Sequence, residues 1–291
     1  MAVFLLHGIV DEYVHGASGY RNYVPRGEFE AYLRSRRAPF GAWRADERSG
    51  DVLTVDDATR AGAEACRVAR RLGHEVMFFV NPYQIATGQP YFFSLLDAVI
   101  DARSADSVTY RDEVYDLTDG AGVARFRFAA MRALFVKPSA EAYADAAELA
   151  ALLGALDAQV AEHQRPLSLA ELIALRDQGV RIENHGWSHV EISALADGAF
   201  TEHVIAGREW LERELSVRAG LYAVPFGATD VPPHLRACVG DGYFLASERF
   251  PRGRFNPQGW NRRDLAIEMR ALKRLRAYVD ARRGGESGTG S

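Results

Sequence analysis

Short apolar runs alternate with longer stretches of helical spacing along most of the chain. Near-continuous hydrophobic runs of this length are typical of parallel strands that are covered on both faces. The predicted strands are Val3–Leu6, Val52–Val55, the run 75–82 (EVMFFVNP), Val180–Glu183, Leu221–Val224 and Tyr243–Ala246. Helical spacing predicts helices over 60–72, 201–215 and 264–282, and a short helix over 232–239.

This repeated strand–helix order predicts an α/β domain with a parallel sheet. The strand count is near seven or eight, which favours a barrel over an open sheet. Residues 91–176 read as mainly helical and interrupt the alternation. We therefore predict a single barrel domain over 1–283 with a helical insertion at about 91–176, followed by a disordered tail over 284–291.

The composition indicates an ordinary globular protein, with 48% hydrophobic and 25% charged residues. A net charge of −4, from 35 basic and 39 acidic residues, gives no reason to expect nucleic acid or an anionic membrane as partner. Cys66 and Cys238 lie in helix-like apolar stretches, so we expect no disulfide. The opening MAVFLLHGIV has no basic leader and is too short to span a bilayer, so we expect a cytoplasmic protein without a membrane span.

Polar or turn-forming residues follow four of the predicted strands. They are His7, the pair Asp56 and Asp57, the pair His185 and His189, and the turn at 225–227 (Pro-Phe-Gly). Because the carboxyl ends of parallel strands meet at the same edge of a sheet, we expect these groups to share one rim.

The histidine pair is a candidate metal site in combination with the other three groups. On a helical turn, positions i and i+4 face the same way, so His185 and His189 could present ring nitrogens to one ion. One aspartate would complete a three-ligand set with an open position, which is a catalytic arrangement, and the other would be a base. Each feature alone also fits a structural role. The aspartates could cap a helix, His7 could be a hydrogen-bonded core residue, and the histidines could be unrelated loop residues.

Three motifs together resemble those of the NodB-type polysaccharide deacetylase superfamily. Residues 54–58 (TVDDA) are similar to the family's Thr-Phe-Asp-Asp-Gly, 185–189 (HGWSH) to its His-x-x-Ser/Thr-His, and 225–227 (PFG) to its Pro-Tyr-Gly. Their order and separation also fit, over roughly residues 50–250. The resemblance implies a distorted, incomplete (β/α)7-type barrel.

The resemblance also implies a role for each motif residue. Asp56 would be the general base, and the backbone N–H of Phe226 would help to bind the oxyanion. The implied metal ligands are Asp57, His185 and His189. Zinc is the first choice of divalent cation, and a set of two histidines and one aspartate also suits cobalt, nickel or iron.

The chain departs from the family pattern at three points. Ala58 replaces the motif glycine, and Ala223 stands where the third motif often has an arginine. No Leu-x-His follows residue 240, whereas the chain opens with a strand that ends in His7. We therefore assign the catalytic acid to His7, as in a permuted form of the fold, and expect Arg252 or Arg254 to replace the missing arginine.

The expected reaction is removal of an N-acetyl group from a sugar or glycan-like substrate. Aromatic faces stack on sugar rings, so Trp187 and Trp260 are candidate substrate contacts, together with Phe226 and Arg254. If the insertion covers the barrel mouth, a small substrate fits better than a long polymer. Two alternatives stay open: an amidase of the same fold that acts on a formamide or cyclic imide, and a carbohydrate-binding relative with weak catalysis.

Overall fold

The computed structural model of the chain describes residues 1–12, 16–19, 22–44, 50–137 and 139–286. Its strands are β1 (Val3–Leu6), β2 (Gly8–Val10), β3 (Tyr23–Pro25), β4 (Val52–Asp56), β5 (Met77–Val80), β6 (Ser107–Tyr110), β7 (Glu113–Asp116), β8 (Arg181–Asn184), β9 (Leu221–Ala223), β10 (Gly242–Leu245), β11 (Gly253–Arg254), β12 (Gly259–Asn261) and β13 (Arg263–Asp264). Its α-helices are α1 (Arg26–Ser35), α2 (Arg60–Arg71), α3 (Pro82–Thr87), α4 (Phe92–Asp101), α5 (Gly120–Leu134), α6 (Ser139–Leu152), α7 (Leu169–Asp177), α8 (Asp197–Leu215) and α9 (Leu265–Glu286). All six strands predicted from the sequence are present, with bounds that shift by at most two residues.

The central sheet has the strand order β11-β12-β10-β9-β8-β5-β4-β1-β13. Its neighbouring strands pair in parallel, except for the short β11, which pairs antiparallel with β12. The strand that ends before His7 therefore lies beside the strand that ends at Asp56 and runs in the same direction. Both residues leave the sheet at the same end.

The two ends of the parallel part of this sheet, β12 and β13, are joined in the chain by Arg262. Only this residue separates β12 from β13. Before it, Trp260 pairs with Phe244 of β10, and after it, Asp264 pairs with Leu5 of β1. One interrupted segment thus joins β10 to β1, and with β4, β5, β8 and β9 it completes seven strand positions. The expected distorted, incomplete (β/α)7-type barrel is confirmed, and its ladder is broken at Arg262.

Alternate residues of the strands face two different cores, because successive side chains of a strand point to opposite sides. The outward-facing set packs against α1, α2, α7 and α9 and includes Phe4, Val55 and Phe78. The inward-facing set fills the barrel interior: Val3, Val52, Met77, Phe79, Leu221, Ala223, Phe244 and Trp260, with Trp43 among them. Asp56 is four residues after Val52 and therefore also faces inward, above this apolar floor.

The predicted insertion has a core of its own. Residues from α4, α5 and α6 bury one another, with Tyr91, Phe126 and Leu153 fully covered. Residues 107–116 form an antiparallel hairpin, β6–β7, which corrects the prediction that this region is mainly helical. Its two turn residues, Arg111 and Asp112, have φ values of 51° and 62°, as a two-residue hairpin turn requires. Helix α7 instead packs on the barrel core.

The last helix, α9, packs against β1 through Leu265, Ala266 and Met269. It continues to Glu286, and residues 287–291 of the tail predicted to be disordered lie outside the described residues. In the described part of the chain, no helix combines the length and the apolar character needed to cross a bilayer.

Candidate metal centre and catalytic cavity

The two aspartates lie where β4 ends. Asp56 is the last residue of the strand, and Asp57 has φ 64°, in the left-handed region that non-glycine residues rarely adopt. The N-cap of α2 is Thr59, whose hydroxyl accepts a hydrogen bond from the N–H of Gly62. Neither aspartate caps the helix, so the alternative structural explanation of the pair does not hold. Ala58 is compatible with this turn because the left-handed residue is Asp57.

His185 and His189 lie in the loop after β8, which corrects the expectation that they share a helical turn. Gly186 has φ 82°, which breaks helical geometry, and the ring of His203 occupies the space that a side chain at Gly186 would need. The loop brings the two imidazole centroids to 5.0 Å. His185 Nδ1–H donates to the carbonyl oxygen of Ala223 at 2.8 Å, so its Nε2 lone pair is available to the cavity.

The carboxylate of Asp57 meets both imidazoles. Its Oδ1 lies 3.6 Å from Nε2 of His185 and 3.3 Å from Nε2 of His189. Ligand atoms about 2.1 Å from a tetrahedral zinc ion are about 3.4 Å apart, so these separations fit one shared cation. Asp57 Oδ1 is buried and has no hydrogen-bond partner among the described residues. The three residues are all buried, and one ligand atom from each lies within 4.8 Å of the others.

Asp56 is held by Arg262 rather than by a metal ligand. The guanidinium donates from Nη1 to Oδ1 and from Nη2 to Oδ2, both at 2.7 Å. Nη1 also donates to Thr54 Oγ1 at 3.2 Å. The expectation that Arg252 or Arg254 would replace the missing motif arginine is therefore wrong, because the break between β12 and β13 turns Arg262 into the barrel instead.

The charges of the site oppose the effect of burial. Burial acts to raise the pKa of Asp56, but Arg262 and then His185 outweigh it and hold the pKa below its usual value. Burial likewise acts to raise the pKa of Asp57, and His189 and His185 hold it well below. Burial lowers the pKa of His185, but the two aspartates outweigh it and raise that pKa. Burial prevails at His189 and lowers its pKa to about 4.

These groups face a cavity of about 670 Å³ that also contains His7 and Phe226 in its lining. The ring of Phe226 packs edge-on against the imidazole of His189 at 4.4 Å, and Phe226 has φ 60°. Gly227 N–H donates to the carbonyl of Val224, which closes the turn that holds Phe226. The cavity therefore brings together six of the predicted site residues: Asp56, Asp57, His185, His189, His7 and Phe226.

Three predicted substrate contacts lie elsewhere. Trp260 is 8% exposed and belongs to the apolar floor of the barrel, because β12 directs it inward. Trp187 packs on the outer barrel core and against Tyr83, with ring centroids 6.3 Å apart. Arg254 donates to the backbone carbonyls of Asn256 and Pro257, away from the cavity lining. Their assignment as substrate contacts is therefore not supported by their positions.

Other cavity residues were not predicted from the sequence. Arg262 has a weak signal, since it follows Trp260 by two positions and so shares its inward face. Phe93, Arg127 and Met131 come from the insertion and also line the cavity. No local pattern distinguishes these three from the residues that pack within the insertion.

The fold was compared with known proteins. No protein-family model matches the sequence, and no curated protein matches it either. Among solved structures, the Streptococcus pyogenes deacetylase PplD in complex with acetate has a TM-score of 0.55 at 11% identity, over 91% of this chain and 92% of that one. A putative polysaccharide deacetylase from Bacillus anthracis has a TM-score of 0.54 at 12% identity, over 93% and 67%. IcaB from Ammonifex degensii has a TM-score of 0.52 at 13% identity, over 91% and 91%.

These likenesses extend over nine-tenths of the chain, at identities that establish the fold alone. They include the barrel and much of what was predicted as an insertion. The chain therefore has the fold of the polysaccharide deacetylases, as the resemblance of its three motifs to the NodB-type superfamily predicted.

Proposed function

We propose that this chain is a metal-dependent hydrolase that removes an N-acetyl group from a sugar or a small sugar-containing molecule. The observation that carries the proposal is the juxtaposition of Asp57, His185 and His189, within 4.8 Å, with a separate, arginine-held Asp56 in the same cavity. The shared fold with polysaccharide deacetylases supports it. The donor set favours zinc, and also accommodates cobalt, nickel or iron.

A divalent cation bound by Asp57, His185 and His189 would polarise the acyl oxygen and make water more acidic. Asp56 is suited to take the proton of the attacking water, because Arg262 offsets the effect of burial on its pKa and keeps the carboxylate ionised at neutral pH. Arg262 orients this carboxylate through two hydrogen bonds, and each oxygen keeps a further lone pair for the water.

His7 is the candidate acid that protonates the departing amine. It follows β1, which lies between β4 and β13, and it lines the cavity together with Asp56. This position beside the strand of the aspartates supports the permuted arrangement in which the acid histidine comes first in the chain. The backbone N–H of Phe226 would stabilise the developing oxyanion, since its turn lies against His189.

The cavity favours a small substrate over the middle of a long polymer. Its volume of about 670 Å³ is in the range of small-molecule pockets. Phe93, Arg127 and Met131 of the insertion form one wall, so the barrel mouth is bounded on that side. An acetylated monosaccharide, or the terminal sugar of a carrier-linked precursor, fits this shape. The cytoplasmic location stays a prediction.

The test measures both the metal content of the protein and the product that it releases. Wild type and His185→Ala are purified in parallel, zinc is measured by mass spectrometry, and each is incubated with N-acetylated mono- and disaccharides. We expect about one equivalent of metal in wild type, background in His185→Ala, and acetate released by wild type alone. His234→Ala is the matched control, since His234 is exposed and pairs with Asp197 outside the cavity.

Three outcomes would oppose the proposal. A wild-type protein without metal, whose activity resists chelators, would remove the metal-dependent mechanism. Formate or a ring-opened acid as product would favour the amidase alternative. Tight sugar binding with no released acid would favour the binding protein.

A further inference from the structure

Tyr91, the first residue of the insertion region, is hydrogen-bonded to the backbone next to a candidate metal ligand. Its side chain is fully buried, with 0% exposure. Its hydroxyl oxygen accepts a hydrogen bond from the backbone N–H of Ala58 at 2.8 Å. Its own proton is donated to Oδ1 of Asn81 at 3.1 Å. Ala58 is the residue directly after Asp57, so the phenol is bonded to the turn that presents this carboxylate.

Asn81 extends the connection to the histidine loop. It follows β5, which lies between β4 and β8, and it is completely buried. Its Nδ2 donates to the backbone carbonyl of His185 at 2.6 Å and to that of Gly186 at 3.2 Å. Because Oδ1 accepts from Tyr91, the amide orientation is set, and its NH₂ group must face the histidine loop.

A single chain of hydrogen bonds thus links two ligand-bearing segments that are distant in sequence. It runs from Ala58 N–H through the Tyr91 hydroxyl and the Asn81 amide to the carbonyl of His185. Each donor and acceptor along it has a defined partner and lies away from solvent, where hydrogen bonds are strong and unpaired groups are costly.

His189, the third candidate ligand, also contacts Tyr91. The ring of Tyr91 stacks on Phe93 at 4.8 Å, and both rings stand edge-on to the imidazole of His189, at 5.8 and 5.3 Å. These contacts are expected to stabilise the left-handed backbone conformation of Asp57. Such a conformation persists in a non-glycine residue only where the surroundings determine it.

We propose that Tyr91 is a positioning residue of the metal centre: its hydroxyl, acting through Asn81, holds the Asp57 turn at the correct distance from the His185 loop. This inference rests on the proposed metal-dependent function. It assigns to the insertion a part in assembling the site, in addition to forming a wall of the cavity.

The test removes one oxygen atom. Tyr91→Phe keeps the ring and its contacts but breaks both hydrogen bonds. Tyr143→Phe is the matched control, because it removes a partly buried hydroxyl bond to the Pro90 carbonyl, 2.7 Å long and next to Tyr91 in the chain, but leaves the hydrogen bonds of Tyr91 to Ala58 and Asn81 in place. For each metal-free protein, Zn²⁺ affinity is measured by competition with a chromophoric chelator, Co²⁺ is titrated while its visible absorption is recorded, and the melting temperature is determined.

We expect Tyr91→Phe to bind Zn²⁺ about tenfold or more weakly than wild type, as is usual when a group that orients metal ligands is lost. Its Co²⁺ spectrum should also change, while Tyr143→Phe should keep the wild-type affinity and spectrum. Asn81→Ser interrupts the same chain at its other member, so it should weaken Zn²⁺ binding in the same direction and serves as the test if Tyr91→Phe does not fold.

Two failures can be told apart. If wild type binds Zn²⁺ and Tyr91→Phe binds it equally well, with an unchanged Co²⁺ spectrum, the positioning role is refuted and the proposed function stands. A fall in melting temperature alone, with unchanged affinity, would also refute it, because Tyr91 would then be only structural. If wild type itself binds neither Zn²⁺ nor Co²⁺, nor Ni²⁺ or Fe²⁺ in the same competition assay, the proposed function fails and this inference fails with it.

Discussion

Arg262→Met offers the sharpest test of how the cavity keeps Asp56 ionised. The arginine and the carboxylate are both buried, with side-chain exposures of 1% and 4%. Two hydrogen bonds of 2.7 Å join them, and the substitution removes both while filling a similar volume. Asp56 is then left in the barrel interior with two imidazoles, that of His7 and that of His185, whose Nε2 lies 3.9 Å from its Oδ2, as the remaining groups that oppose the effect of burial.

The expected change in folding free energy follows from the loss of this partner. Leaving one member of a buried ion pair uncompensated costs about 3–5 kcal/mol of folding free energy. For a domain of this size, at roughly 2 °C per kcal/mol, the melting temperature should fall by roughly 6–10 °C. The pKa of Asp56, now governed by burial, should rise. A carboxylate with a depressed native pKa stabilises the fold above its unfolded pKa, and this contribution is lost as pH falls through the native value. In the variant, where burial raises the pKa above the unfolded value, the sign reverses: the charged carboxylate destabilises the fold at neutral pH, and the stability deficit relative to wild type should shrink as pH falls and Asp56 is protonated.

Thermal melts of the metal-free proteins between pH 4 and 8 measure the stability change, and the pH dependence of kcat/KM measures the titration of the base. The acid limb of the variant's profile should move to higher pH. Arg262→Lys should be intermediate, since an ammonium keeps the charge without the bidentate geometry. Arg218→Met is the control, because its pair with Asp241 is 77% and 45% exposed and is worth at most about 1 kcal/mol.

A melting temperature of Arg262→Met within about 2 °C of that of the Arg218 control, the shift expected for a surface pair, would contradict a stabilising buried ion pair. An acid limb of the kcat/KM profile that does not move would contradict it as well. Either result would mean that the carboxylate of Asp56 does not depend on this guanidinium for its charge.

Four further outcomes are expected. His7→Ala should retain its metal while losing at least about a hundredfold in kcat, the usual worth of a general acid; unchanged turnover would exclude the role. Zn²⁺ should raise the melting temperature of wild type but not of Asp57→Asn, because a cation bound only by the folded state stabilises that state. An equal rise in both proteins would show that the ion binds at a site without Asp57. Zn²⁺ affinity should increase as pH rises through the raised pKa of His185, since only the neutral imidazole binds, and a flat titration from pH 6 to 8 would contradict this. Met131→Trp should raise KM for disaccharides more than for monosaccharides at constant metal content, and equal changes would show that this wall does not select substrates.

Much of the fold could be predicted because its determinants are local. A fully apolar run such as Val3–Leu6 favours a strand covered on both faces, and the polar residue that follows it lies at the strand's carboxyl end. In a parallel sheet all such ends point the same way. For this reason His7, Asp56 and His185 could be expected at one rim before any distance was known.

The geometry of the histidine pair could not be derived in the same way. The spacing of His185 and His189 suggests a helical turn, but Gly186 at φ 82° and the ring of His203 determine a loop instead. The imidazoles still converge, because the loop returns over the strand end.

From the amino-acid pattern alone, six strands of the central sheet could be predicted, together with the polar residues at one end of the barrel. The pairing of Arg262 with Asp56, 206 residues away, the place of Trp260 in the floor and the contact of Tyr91 with the Asp57 turn follow from the tertiary structure. Periodicity reports local burial, whereas a pairing between distant segments depends on strand order and register, which the whole chain sets at once.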